Sequence, residues 1–172
     1  MTTQTDIQNT PSPVPAHDDL AVPTQVADTG PQLTLDDVTA GFIATVRDQG
    51  LIAVSGDDAA KFLHTQLTND VEHLTATDVR FAGFCTPKGR LQASFLMWRD
   101  NDAVYLQLPR AIQAPLQKRL SMFVMRSKAK LVDATDAAPC ATVLGLGGAR
   151  AQAALGQIVP TLPATPMTKT DG

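Results

Sequence analysis

The chain is predicted to be an α+β domain, a mostly antiparallel sheet with helices packed on one face. Three observations predict it. Between residues 79 and 108 lie three apolar, alternating runs, "VRFAGFC", "RLQASFLMW" and "AVYLQL". The turns between them are too short for a parallel crossover, so these strands must be antiparallel. On either side of them, "DDAAKFLHTQL" and "AIQAPLQKRLSMF" repeat apolar residues with helical period. Helices set apart from a run of antiparallel strands pack against one sheet face.

Taken in order, "GFIATVRDQGLIAVSG" holds two short strand-like runs around Asp48-Gln49-Gly50. The helix over residues 57–67 is expected to start on Asp57, whose carboxylate can accept a first-turn N–H. Ala59, Phe62, Leu63, Gln66 and Leu67 share its face. A buried amide such as Gln66 needs a hydrogen-bond partner, either the following loop backbone or a polar pocket corner shared with Asn69. Thr86-Pro87-Lys88-Gly89 fits a type I turn, with Gly89 left-handed and a bulge after it. In the next strand Leu91, Ala93, Phe95 and Met97 alternate with Gln92, Ser94, Leu96 and Trp98. The second set mixes apolar and small polar groups, which fits a pocket wall or a domain interface better than a solvated face. The helix over 111–123 carries Ile112, Leu116, Leu120 and Phe123 on one stripe, and Pro115 limits its start. "AKLVDA" and "ATVLGL" are strands, and "GARAQAAL" is a short helix.

The ends differ from this middle. Residues 1–31 hold five prolines and no aromatic residue, so a disordered tail is expected there. The folded domain is expected over 32–158, and 159–172 as a flexible C-terminal tail. Hydrophobic residues make up 44% of the chain, enough for one core. A net charge of −3 argues against a broad nucleic-acid groove, though not against a local basic patch. Cys85 and Cys140 form neither a disulfide framework nor a metal pattern and are expected to be buried thiols in a reducing cytoplasm. His17, His64 and His73 lack metal-ligand spacing, so no metal is expected. No run is long enough to cross a membrane, and the first ten residues are not a secretory signal. "GLGGARAQAAL" lacks the spacing of a phosphate loop. Lys118, Arg119, Arg126, Lys128 and Lys130 form a basic cluster that is either a solvated face or a dock for an anionic partner.

Three segments together, "SGDDAAKFLHTQLTNDVEHL", "FAGFCTPKGRLQASFLMWRD" and "VLGLGGARAQAAL", resemble the N-terminal part of the folate-binding YgfZ family. That family is related to the glycine-cleavage T-protein aminomethyltransferases. The resemblance covers roughly residues 42–156 and implies the first subdomain of a tetrahydrofolate-binding fold. It implies an accessory protein that supports synthesis or repair of iron–sulfur enzymes, including tRNA-thiolating ones, with folate and those client enzymes as partners and tRNA met indirectly. T-proteins carry paired aspartates where this chain has Ala93 and Ser94. Neither can serve as a carboxylate acid or base, so no catalytic activity of its own is expected. Folate-dependent aminomethyl transfer is the alternative, and an α+β interaction domain without a ligand is the third. The family signature K-G-C-Y-x-G-Q-E is absent, so the chain is expected to be the first half of a family member. The resemblance places Phe81, Ser94 and Trp98 along the folate, and Arg90 could meet its glutamate carboxylate. Gln66 and Asn69 complete the candidate site. A hairpin pairing Thr86 with Gly89 would set Phe81 opposite Ser94, and a bulge would shift that register.

Overall fold

The computed structural model describes residues 34–137 and 142–170. The tail expected over 1–31 and the thiol of Cys140 lie outside them. The elements are α1 (Leu35–Ala40), β1 (Phe42–Thr45), β2 (Gln49–Ser55), α2 (Ala59–Gln66), β3 (Val79–Cys85), β4 (Leu91–Asp100), β5 (Ala103–Pro109), α3 (Arg110–Ser121), β6 (Lys130–Asp133), β7 (Leu144–Gly147) and α4 (Ala149–Leu155). Five strands form one antiparallel sheet in the order β3-β4-β5-β2-β6, and β1 pairs only with β7 in a second, two-stranded sheet. The α+β class is as the sequence predicts, although the two runs within 41–56 belong to different sheets.

One face of the large sheet is the core. Ile52, Val54, Phe95, Met97, Leu106 and Leu108 alternate inward from β2, β4 and β5 and are no more than 1% exposed. Phe62 and Leu63 of α2 and Leu116 and Leu120 of α3 cover them. The loop after α2 closes the same face with Val71 and Leu74. Burying side chains of this size contributes about 1.5–3 kcal/mol each, so this face sets the fold.

Local details correct several expectations. The N-cap of α2 is Asp58, not Asp57. The Asp58 carboxylate caps no helical N–H and instead accepts the Lys128 N–H at 2.7 Å, tying the helix start to the approach to β6. Helix α3 starts at Arg110, so Pro115 sits beyond its first turn. Proline leaves the carbonyl one turn back without a donor, but Ala111 and Pro115 are both exposed and water can serve it. The buried stripe of α3 is Gln113, Leu116 and Leu120, whereas Ile112 and Phe123 are exposed. α1 was not foreseen. It is held by a capping box in which Thr34 Oγ1 accepts the Asp37 N–H and Asp37 Oδ2 accepts the Thr34 N–H.

The segment expected as a flexible tail touches the sheet. Val79 N–H donates to the Met167 carbonyl at 2.9 Å and Lys169 N–H to that of Thr77 at 2.8 Å. Among the described residues no helix is long and apolar enough to cross a membrane.

Candidate functional site

Among the described residues the opposite face of the large sheet carries no helix, and it holds a trough. Its register follows from the β3–β4 hairpin. Gly89 adopts φ +74° in the turn, as the sequence predicts, and its N–H donates to the Thr86 carbonyl at 2.9 Å. A second irregularity follows. Cys85 pairs with Leu91 but Phe84 pairs with Ala93, so Gln92 is an extra, bulged residue. The bulge takes Leu91 out of the core row, where it was expected, and leaves it 62% exposed. It also turns Gln92 away from the Ser94 row, and Gln92 Oε1 accepts from Arg119 Nη1 of α3 at 3.4 Å. Beyond the bulge Phe81 faces Leu96 and Gly83 faces Ser94. Phe81 and Ser94 are thus diagonal neighbours on the helix-free face.

Three connected grooves make up the trough. The first, about 340 Å³, is walled by Phe81, Ser94, Leu96 and Gln107. The second, about 330 Å³, is walled by Leu51, Trp98, Gln107 and Val143. The third, about 400 Å³, is bordered by Arg47, Arg110, Thr135 and Asp136. Gln49 lines all three and Gln107 joins the first two. An apolar floor with a few amides suits a planar ligand with polar edges.

Aromatic and charged groups are unequally spread along it. Phe81 is 66% exposed on the rim of the first groove. Trp98 stacks on Tyr105 with ring centroids 5.6 Å apart and planes 11° from parallel. This pair rests on Leu51, Ala53 and Ala134, a small apolar cluster on this face. At the far end Arg110 Nη2 lies 3.1 Å from Asp136 Oδ2. Asp136 is the one carboxylate among the described residues lining the trough, against two guanidiniums.

A polar network anchors the trough floor to α3. Gln113 Nε2 donates to the Leu51 carbonyl at 3.2 Å. The Thr135 hydroxyl accepts the Leu51 N–H at 3.0 Å and lies 2.6 Å from Asp133 Oδ1 and 3.0 Å from Gln113 Oε1. The bonds from the Thr135 hydroxyl and N–H hold the Asp133 carboxyl below its usual range. A Cβ at Gly50 would meet Gln113 Oε1, so a larger residue there would push the amide out of this network.

Of the six candidate residues, Phe81 and Ser94 line one groove and Trp98 the next. The other three lie elsewhere. Gln66 ends α2, and its Nε2 donates to Thr65 Oγ1 at 3.2 Å. Asn69 Nδ2 donates to the Phe81 carbonyl at 2.8 Å, and next to it Thr68 pairs with Gly83. That loop covers the otherwise open edge of β3. Arg90 is exposed in the hairpin turn. Gln49, Gln107, Arg47 and Arg110 were not foreseen. Gln107 was readable, since it alternates outward between Leu106 and Leu108. Gln49 and the arginines carry no local signal, because only the sheet order brings them to the trough.

No protein-family model matches the chain. Over 112 residues, 65% of its length, it is 35% identical to the tRNA-modifying protein YgfZ of Edwardsiella ictaluri, covering 33% of that protein. It is 29% identical over 121 residues to the YgfZ of Sodalis glossinidius, covering 70% of this chain and 36% of that one. In structure it matches the glycine cleavage system aminomethyltransferase T of Bartonella henselae with a TM-score of 0.62 at 18% identity, over 70% of this chain and 32% of that one. The chain therefore spans about a third of the length of these relatives. It is similar in sequence to that third of the tRNA-modifying protein YgfZ, and it has the α+β fold of the corresponding part of aminomethyltransferase T.

Proposed function

We propose that the trough is one wall of a tetrahydrofolate site, and that the chain is the folate-binding part of a YgfZ-type accessory protein. In this reading it supports synthesis or repair of iron–sulfur enzymes in the cytoplasm, including those that thiolate tRNA. The observation that carries the reading is the helix-free sheet face, where Phe81, Leu96 and Trp98 surround the amides of Gln49 and Gln107. Exposed aromatic edges suit a pterin or aminobenzoyl ring, and amides suit the ring's donors and acceptors. Arg47 and Arg110, rather than Arg90, which lines none of the three grooves, border the end where an anionic glutamate tail would lie.

Binding without group transfer fits these residues better than aminomethyl transfer. Ala93 is a buried methyl group and Ser94 an exposed hydroxyl. Neither holds a proton that titrates near neutral pH. The carboxylate in the trough, Asp136, is engaged by Arg110.

Titration of the chain with tetrahydrofolate under exclusion of oxygen tests this. Trp98 is the only tryptophan, so its emission reports on the trough. Weak binding is expected, with Kd roughly 0.1–1 mM, corresponding to about −5.5 to −4 kcal/mol, because two thirds of a relative's length is not in this chain. Phe81→Ala and Gln107→Ala should each weaken it at least about fivefold, a loss of about 1 kcal/mol. An unchanged Trp98 spectrum and no heat at millimolar tetrahydrofolate would sink the reading.

A further inference from the structure

We infer that the end of the molecule formed by the β3–β4 hairpin tip and the C-terminus of α3 binds RNA directly, through its phosphates and at least one base. This inference is independent of the folate reading, since none of its residues lines the trough.

The charge distribution carries it. The chain is acidic overall, yet residues 79–99 and 103–132 contain no aspartate or glutamate and hold ten of its 14 lysines and arginines. The fold gathers one subset of these. Arg119 Nη1 reaches Gln92 Oε1 at 3.4 Å, and the Phe123 and Phe84 rings lie 6.5 Å apart. These contacts bring the end of α3 against the hairpin. Lys88 and Arg90 of the turn thus join Lys118, Arg119 and Arg126, and all five are exposed. Lys128, by contrast, is 3.3 Å from Asp57 and is drawn to the acidic start of α2. A concentrated cationic surface on an acidic protein is the electrostatic footprint of a polyanion partner.

Apolar groups among these cations narrow the partner. Phe123 is 46% exposed, Met122 63% and Met125 88%. Met125 also holds φ +35°, a left-handed conformation uncommon for a residue with a side chain. A folded domain gains nothing in water from presenting these groups, so they point to a surface that is covered in use. Cations beside an exposed aromatic ring match RNA, in which phosphates alternate with unstacked bases that stack on aromatic side chains. The relatives named as tRNA-modifying proteins favour RNA over an anionic lipid surface.

The test uses the full chain, a fluorescently labelled unmodified tRNA transcript and anisotropy across a salt series. The parent should bind with Kd in the micromolar range, with log affinity falling by about 3–4 per log unit of salt, as expected for four or five phosphate contacts. Lys88→Glu/Arg90→Glu and Lys118→Glu/Arg126→Glu should each weaken binding at least about tenfold and reduce that slope by about 1.5–2. Phe123→Ala should weaken binding about fivefold or more with the slope unchanged, as lost stacking would. The glutamine versions of both pairs serve as milder variants, and their thermal midpoints check folding. Parent-like affinity and slope in both pairs would overturn the proposal. So would tighter binding to phosphatidylserine vesicles than to the transcript, which would make the patch a membrane dock.

Discussion

One face of the five-stranded sheet buries Phe95, Met97 and Leu106 almost completely under two helices, while the other leaves Phe81 66% exposed and carries Ser94 and Gln107 along an open trough. The same strands supply both faces, with Phe95 and Ser94 adjacent in β4. A side chain's role is therefore decided by strand parity and by what covers the face. On the helix side, apolar volume fills space and little else is asked of it. On the trough side, aromatic, amide and charged groups are left in reach of a ligand, and they contribute little to holding the domain together.

The largest test of this contrast is a pair of truncations. Phe95→Ala should destabilise the domain by about 3–5 kcal/mol, because it opens a cavity under α2 and α3. Phe81→Ala, on the exposed rim, should stay within about 0.5 kcal/mol. Chemical denaturation of both variants reads the difference. Comparable losses would mean that the trough side is as structural as the core.

An intermediate effect is expected where the two faces meet. Gln113 is the one buried polar side chain among the described residues and joins α3 to the Leu51 carbonyl on β2. Gln113→Ala should cost about 1–2 kcal/mol, less than an unpaired carbonyl would, because that carbonyl also accepts the Ala134 N–H at 2.8 Å. Since the same link fixes the Leu51 floor, the variant should also alter Trp98 emission. A stability loss with an unchanged Trp98 spectrum would show that the floor does not depend on α3.

How far the sequence discloses all this follows the same division. Strand alternation from 79 to 108 is local, so the antiparallel run, the inward rows and the helix-free face could be read from it. Ser94 and Trp98 could be placed on that face because they share parity. Leu91 and Gln92 were misplaced, since a bulge at Gln92 reverses parity and no residue type announces it. Arg47, Gln49 and Arg110 were illegible as site residues, because the order β4-β5-β2 brings them together over about 60 residues of chain. Asn69 was read as a ligand group, yet its amide closes the β3 edge. Helix α1 was readable after all, in the Thr34-x-x-Asp37 spacing of a capping box.

The smallest effect concerns pH and sits at the rim of the same network. Asp133 accepts the Thr135 hydroxyl at 2.6 Å and the Thr135 N–H at 2.9 Å. Both bonds favour the carboxylate and lower its pKa from the ordinary 3.8. A depressed folded-state value means that the ionised form stabilises the fold. That contribution is complete above the unfolded value near 3.8 and is lost as pH falls through the lower folded value. Asp133 is exposed, so after solvent screening it should amount to less than about 0.5 kcal/mol. Asp133→Asn should therefore lower the thermal midpoint slightly at pH 7, and the gap to the parent should narrow as pH falls below the unfolded value near 3.8 and through the lower folded value. A gap between the two that does not narrow at all as pH is lowered below 3.8 would mean that Asp133 acts through its shape and not its charge.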